Sequence, residues 1–154
     1  MILSELTSLL FQEINFNLPG EKAHELMAPY KREKASSINI PDKNPKQSAV
    51  LMLIYPKNDI PHFTLIQRTA YEGTHGGQIS FPGGKQEAEE SLKETALRET
   101  FEEIGIAPDK IQVLGEITQI YIPPSNFLVS PFIGFVDFEP VFTPEVEEVE
   151  EIIE

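Results

Sequence analysis

The sequence predicts an α+β fold, an α/β/α sandwich, on three observations. Strand-like apolar runs lie on both sides of one well-delimited helix, helical periodicity marks the N-terminus, and no internal repeat divides the chain. A length of 154 residues suits one globular domain with its own core.

Residues 3 to 15 read as an amphipathic helix, with Leu3, Leu6, Leu10 and Ile14 near one face, and Pro19-Gly20 end it. A second short helix is expected over 21 to 28. The polar stretch from Lys31 to Lys46, with Ser36, Ser37, Pro41 and Pro45, reads as a connector, so 1 to 46 form a helical lead-in to a domain running from 47 to 154. The run "SAVLMLIY", residues 48 to 55, is apolar almost without interruption, as in a strand covered on both faces. Across the turn-like PKNDIP it is expected to pair as a hairpin with "HFTLIQR", residues 62 to 68. Ser91 to Ile104 form the one strong helix, stopped by Gly105. Segments 112 to 121 and 127 to 137 read as strands joined through Pro123-Pro124, and Pro131 marks the second as an edge or a bulge. The tail "TPEVEEVEEIIE", residues 143 to 154, reads equally as a helix starting at Thr143-Pro144 or as a strand.

Composition narrows the chemistry. The net charge of −13 is uneven: nine carboxylates and no Lys or Arg follow Lys110, while residues 1 to 110 hold sixteen acids against twelve bases. That balance argues against nucleic acid as a partner, because affinity for its backbone comes from Lys and Arg. No apolar run is long enough to span a bilayer, and MILSELTSLLFQEI lacks a secretory leader's features, so a cytoplasmic location without a membrane partner is expected. With zero cysteines and three histidines, a metal would be held mainly by oxygen, which favours hard cations.

The stretch "FPGGKQEAEE", residues 81 to 90, sets two glycines directly before the acidic helix. At about 100° per residue, Glu99, Glu102 and Glu103 fall on one side and Leu97, Phe101 and Ile104 on the other, so the helix is expected to anchor through the latter and display the former. A solvated face is the common reading of such a charge run. Gly83 and Gly84 favour ligand binding instead, since a backbone without side chains lets phosphate approach.

Gly84, Glu90, Arg98-Glu99, Glu102-Glu103 and Gly105-Ile106, at their spacing over 23 residues, resemble the Nudix box, and the chain resembles a Nudix hydrolase. Thr100 departs from the aliphatic residue usual there. Upstream, "LIQRTAYEGTHGGQISFPGG", residues 65 to 84, is similar to the signature of the coenzyme A diphosphatase branch through Leu65, Arg68, Gly77, Phe81, Pro82, Gly83 and Gly84, with Gly73 where that signature has a second arginine.

The resemblance implies a Nudix-like mixed sheet with a central catalytic helix, and a Mg²⁺- or Mn²⁺-dependent hydrolase of a diphosphate bond in a small nucleotide substrate. It implies Glu99 and Glu103 as metal ligands, and Glu102 as either a ligand or the residue that orients and deprotonates the attacking water. Arg98 would orient these carboxylates, and Glu148 in the tail would add a metal ligand. Glu90 is read either as the partner of Arg98 or as a helix N-terminal charge. Arg68, Gly77, Phe81, Gly83 and Gly84 are the expected substrate-binding residues, His75 reads as a loop histidine, and Lys31, Arg32 and Lys34 read as a solvated patch or a site for an extra phosphate. The substrate implied is coenzyme A or acyl-coenzyme A, cleaved to 3′,5′-ADP and 4′-(acyl)phosphopantetheine. The alternatives are another nucleoside diphosphate derivative such as ADP-ribose, or a non-catalytic nucleotide-sensing module. The family pattern also implies a closing strand and helix past this tail, so a shortened domain is expected.

Overall fold

The computed structural model describes residues 1 to 27, 40 to 70 and 76 to 154; Lys31, Arg32, Lys34, Gly73 and His75 lie outside them. The helices are α1 (Leu3–Phe16), α2 (Glu21–Met27), a single turn α3 (Ile40–Lys43) and α4 (Leu92–Ile104). The strands are β1 (Lys46–Lys57), β2 (Ile60–Phe63), β3 (Leu65–Arg68), β4 (Ile79–Ser80), β5 (Gly83–Lys85), β6 (Gln112–Glu116), β7 (Ile120–Ile122), β8 (Phe127–Phe135) and β9 (Val149–Ile153).

The main sheet has the order β2-β1-β8-β6, with β5 also on β1 and β7 also on β8; a smaller sheet has the order β4-β3-β9. β1 and β8 run parallel, which requires a crossover, and α4 lies within it. On β1, Ala49, Leu51, Leu53 and Tyr55 are fully buried, and they join Ala96 and Ile104 of α4, Ile66 of β3 and Val149 of β9 in the core. Each fully buried leucine or isoleucine contributes about 1.5–3 kcal/mol relative to exposure. The opposite sheet face meets α1, where Ile14 packs so closely on Gly115 that a β-carbon there would stand 2.7 Å from its Cγ2. Helix, sheet and helix are therefore layered as the sequence predicts.

Several elements depart from expectation. The hairpin forms, with Asn58 and Asp59 both at positive φ as a two-residue turn needs, but only Ile60–Phe63 pairs with β1. At Thr64, fully buried and donating its N–H to Leu53 O, the chain crosses to the smaller sheet, and Leu65–Arg68 pairs with β4 and β9. The run from 62 to 68 contains no breaker; a partner eighty residues away divides it. The strand expected over 112 to 121 is likewise two, β6 and β7. Pro131 does not make β8 an edge, since β8 has β1 on one side and β6 and β7 on the other. Pro131 O accepts from Ile117 N, so its ring nitrogen faces the same side, opposite the break between β6 and β7 where no ladder donor is required. The tail resolves to a strand, β9, antiparallel to β3.

Candidate active site

Two signals place α4. Ser91 caps it, accepting from Glu94 N while Glu94 accepts from Ser91 N, and Gly105 ends it in the left-handed region at φ 80°. Past that end the chain folds back: Thr143 N donates to Ile104 O and Glu145 N to Glu103 O, satisfying two carbonyls the helix leaves open. This strap carries Glu148 toward the acidic face, where its charge adds a little to burial, the main cause, in raising the pKa of both Glu99 and Glu103.

The orientation of α4 meets expectation in part: Ile104 is fully buried and Leu97 packs on the core, but Phe101 faces out and Glu103 faces in. Phe101 is 50% exposed, and the buried positions are Thr95, Ala96, Thr100, Glu103 and Ile104. Small residues on the acidic side let the helix settle with Glu103 facing inward. Thr100 fits there because its hydroxyl donates to Ala96 O at 2.7 Å.

Glu103 is 0% exposed. Its Oε2 accepts from Gly83 N at 2.8 Å, while Oε1 stands 2.9 Å from Arg68 Nη2 as an ion pair and takes no hydrogen bond. Arg68 Nη2 instead donates to Gly83 O, so Arg68 and Glu103 together hold both polar backbone groups of Gly83. Burial raises the Glu103 carboxyl to about 7, against the lowering by Arg68 and the Gly83 N–H. Gly83 has φ 154°, and a β-carbon there would overlap Ala49 O and Val50 Cα.

Glu99 lies over Gly84, so close that a β-carbon on Gly84 would stand 2.3 Å from Glu99 Oε1. Burial raises its pKa as well. Glu102 is on the rim with its side chain 53% exposed. Arg98 binds the group together: Nε and Nη2 donate to the two oxygens of Glu90, Nη1 to Glu99 and Glu102, and Nη2 also to Lys85 O. Glu90 is therefore the partner of Arg98, and that ion pair, before bonds from Glu87 N and Thr95 Oγ1, lowers its carboxyl to about 2. The sequence reading missed Thr95; its buried hydroxyl bonding back to Ser91 O leaves no motif beyond the cap.

Gly77 has φ 70° with open space around its Cα, so it serves the β3–β4 turn and not a close approach. Phe81 is half-buried and meets Phe63 with ring centroids 6.1 Å apart. Arg68, Gly83, Gly84, Arg98, Glu99, Glu102 and Glu103 are thus brought together, Glu148 lies within electrostatic reach, and Gly77 stands apart on its turn.

Among the described residues no three of these side chains form a ready cation cage, since arginines hold them. The residues nonetheless fit a hard divalent cation. The donors are all oxygen, Glu103 presents a buried oxygen without a hydrogen bond, and the missing side chain at Gly84 leaves room for Glu99.

Residues 45–154 match the NUDIX domain family. The chain is 39% identical to the Nudix hydrolase NudL of Pectobacterium atrosepticum over 71% of this chain and 56% of that one. It is 34% identical to the mitochondrial coenzyme A diphosphatase NUDT8 of Homo sapiens over 70% of this chain and 47% of that one. The chain spans about half the length of the curated relatives it matches. Among solved structures it is similar in fold to a C. elegans Ap4A hydrolase binary complex, with a TM-score of 0.59 at 16% identity, covering 70% of this chain and 77% of that one.

Proposed function

The chain belongs to the NUDIX domain family, and from that premise we propose that it hydrolyses a diphosphate bond in coenzyme A or acyl-coenzyme A with Mg²⁺ or Mn²⁺, giving 3′,5′-ADP and 4′-(acyl)phosphopantetheine. The observation that carries the reaction class is Glu103, a fully buried carboxylate with one oxygen fixed by Gly83 N and the other without a hydrogen bond, beside Glu99 over Gly84. The substrate class is supported by the segment from Leu65 to Gly84 and by the likeness to the human coenzyme A diphosphatase.

A divalent cation bound there supplies positive charge to the diphosphate and makes water a better nucleophile. Glu99 and Glu103 would hold it, and Glu148 would add a carboxylate from the strap. Glu102 combines half exposure with a hydrogen bond from Arg98 Nη1 that fixes one oxygen at 2.9 Å, leaving the other to orient water and accept its proton. Arg98 positions Glu99 and Glu102 while anchored on Glu90. Gly84, without a side chain, leaves the space in which the Glu99 carboxylate sits at the start of β5.

The test is hydrolysis of coenzyme A, ADP-ribose, NADH and diadenosine polyphosphates with Mg²⁺ or Mn²⁺, with Glu103→Gln in parallel. Release of 3′,5′-ADP and 4′-phosphopantetheine, lost in the variant, supports the proposal. Preferred turnover of a nucleotide without the pantetheine arm overturns the substrate, and no turnover of any member overturns hydrolysis in favour of nucleotide sensing.

A further inference from the structure

The two arginines of the site are held differently. Arg98 makes five hydrogen bonds, two of them a fork onto Glu90, and cannot leave without stranding that carboxylate. Among the described residues the Arg68 side chain has one hydrogen bond, to Gly83 O, and one ion pair, to Glu103 Oε1, which accepts no hydrogen bond from it. Its side chain is 20% exposed, whereas Glu103 is 0% exposed and fixed through Oε2. An ionised carboxylate buried without a counter-charge is costly, so Glu103 in its charged form needs a cation beside it.

We infer that Arg68 is the stand-in counter-ion of Glu103: it neutralises the carboxylate while the site is metal-free, and it gives up Glu103 Oε1 when a divalent cation binds. The inference rests on the metal-binding reading above. Oε2 is already held by the Gly83 N–H, so Oε1 is the oxygen left for a cation to take. Two positive groups on the same oxygen would repel each other in a poorly solvated site, and the mobile one yields. Release leaves Arg68 at the end of β3, beside the Gly83–Gly84 turn, with its charge free to meet an anion. Metal loading would thereby prepare the site for a phosphate-bearing substrate.

The test compares Mn²⁺ affinity, read from the free-ion electron paramagnetic resonance signal, in the wild type, Arg68→Met and Arg68→Lys, alongside melting temperature in EDTA and in saturating Mn²⁺. Arg68→Met keeps the stem and removes the charge. Its Mn²⁺ affinity is expected to equal or exceed that of the wild type by up to about tenfold, since the competitor is gone. Its melting temperature in EDTA should fall on the order of 10 °C, as expected when one partner of a buried pair is removed, and saturating Mn²⁺ should close most of the gap. Arg68→Lys, which retains a cation, should stay close to the wild type in EDTA. A tenfold or greater loss of Mn²⁺ affinity in Arg68→Met overturns the inference, because Arg68 would then be needed to hold Glu103 for the ion. A melting deficit that persists in saturating Mn²⁺ does the same, and absence of Mn²⁺ binding by the wild type removes the metal-binding reading along with it.

Discussion

Adjacent glycines at the start of β5 give opposite expectations for the same substitution. At Gly83 the backbone sits at φ 154°, and an added β-carbon would stand 2.3 Å from Ala49 O and 2.6 Å from Val50 Cα. Both atoms belong to the backbone of the central strand, which cannot rotate away. Strain at such a φ costs about 1–3 kcal/mol and overpacking about 1–3 more, so Gly83→Ala should lose about 2–6 kcal/mol of a domain's usual 5–15. At Gly84 the atoms nearest the β-carbon would be those of the Glu99 carboxylate, at 2.3 to 2.5 Å. That group ends a flexible side chain, so it swings aside, giving up its bond from Arg98 Nη1 at about 1 kcal/mol or less. Gly84→Ala should therefore remain folded while displacing Glu99, the carboxylate proposed to hold the metal, with the hydrolytic rate down about a hundredfold or more. Urea unfolding in EDTA measures the first quantity, and diphosphate hydrolysis with saturating Mg²⁺ the second. Equal destabilisation by the two substitutions, or a wild-type rate in Gly84→Ala, refutes this account of the two glycines.

Three further outcomes follow from the same geometry. The Glu103 carboxyl is raised by burial from 4.5 to about 7, so its contribution to metal-free stability is present below about 4.5 and is lost as pH rises toward 7, by up to about 3 kcal/mol; Glu103→Gln should lack this decline in urea titrations at pH 5 and pH 8 with EDTA, and an unchanged pH dependence would contradict it. Glu90 is lowered by Arg98 from 4.5 to about 2, so its stabilising pair is present above pH 4.5 and fails as pH falls through that window; acid titration of Glu90→Gln by circular dichroism should show a shallower loss than the wild type. Thr100→Val removes a hydroxyl that, among the described residues, bonds to the helix's own Ala96 O alone, so stability should change by less than about 1 kcal/mol and kcat should be preserved; a tenfold drop in kcat would give that hydroxyl a part in the site.

The helix and its carboxylates were legible because their signals are local. Ser91, Glu94 and Gly105 delimit α4 within fifteen residues, and the spacing of Glu99, Glu102 and Glu103 puts them on one side whatever the rest of the chain does. How deeply the acidic side of α4 is buried was not legible. Ile104 and Leu97 do meet the core as expected, but Thr95, Ala96 and Thr100 let the helix lie closer on the acidic side, and Phe101 was left half exposed. Arg68 illustrates the same limit, since its partners Gly83 and Glu103 lie 15 and 35 positions away and only folding brings them together.

By itself the sequence determined the strands and helices as segments, the mixed α and β layering, the family and the acid set at the glycine turn, because each depends on neighbours within one or two turns of chain. Tertiary structure decided how those segments were used. It cut 62 to 68 into two strands by offering Val149–Ile153 as a partner, placed Pro131 opposite a gap between strands, and brought Glu148 to the helix through the strap at Thr143 and Glu145. The physical reason is that pairing, burial and charge compensation are settled by whichever surfaces meet, and those surfaces come from parts of the chain that carry no local mark of one another.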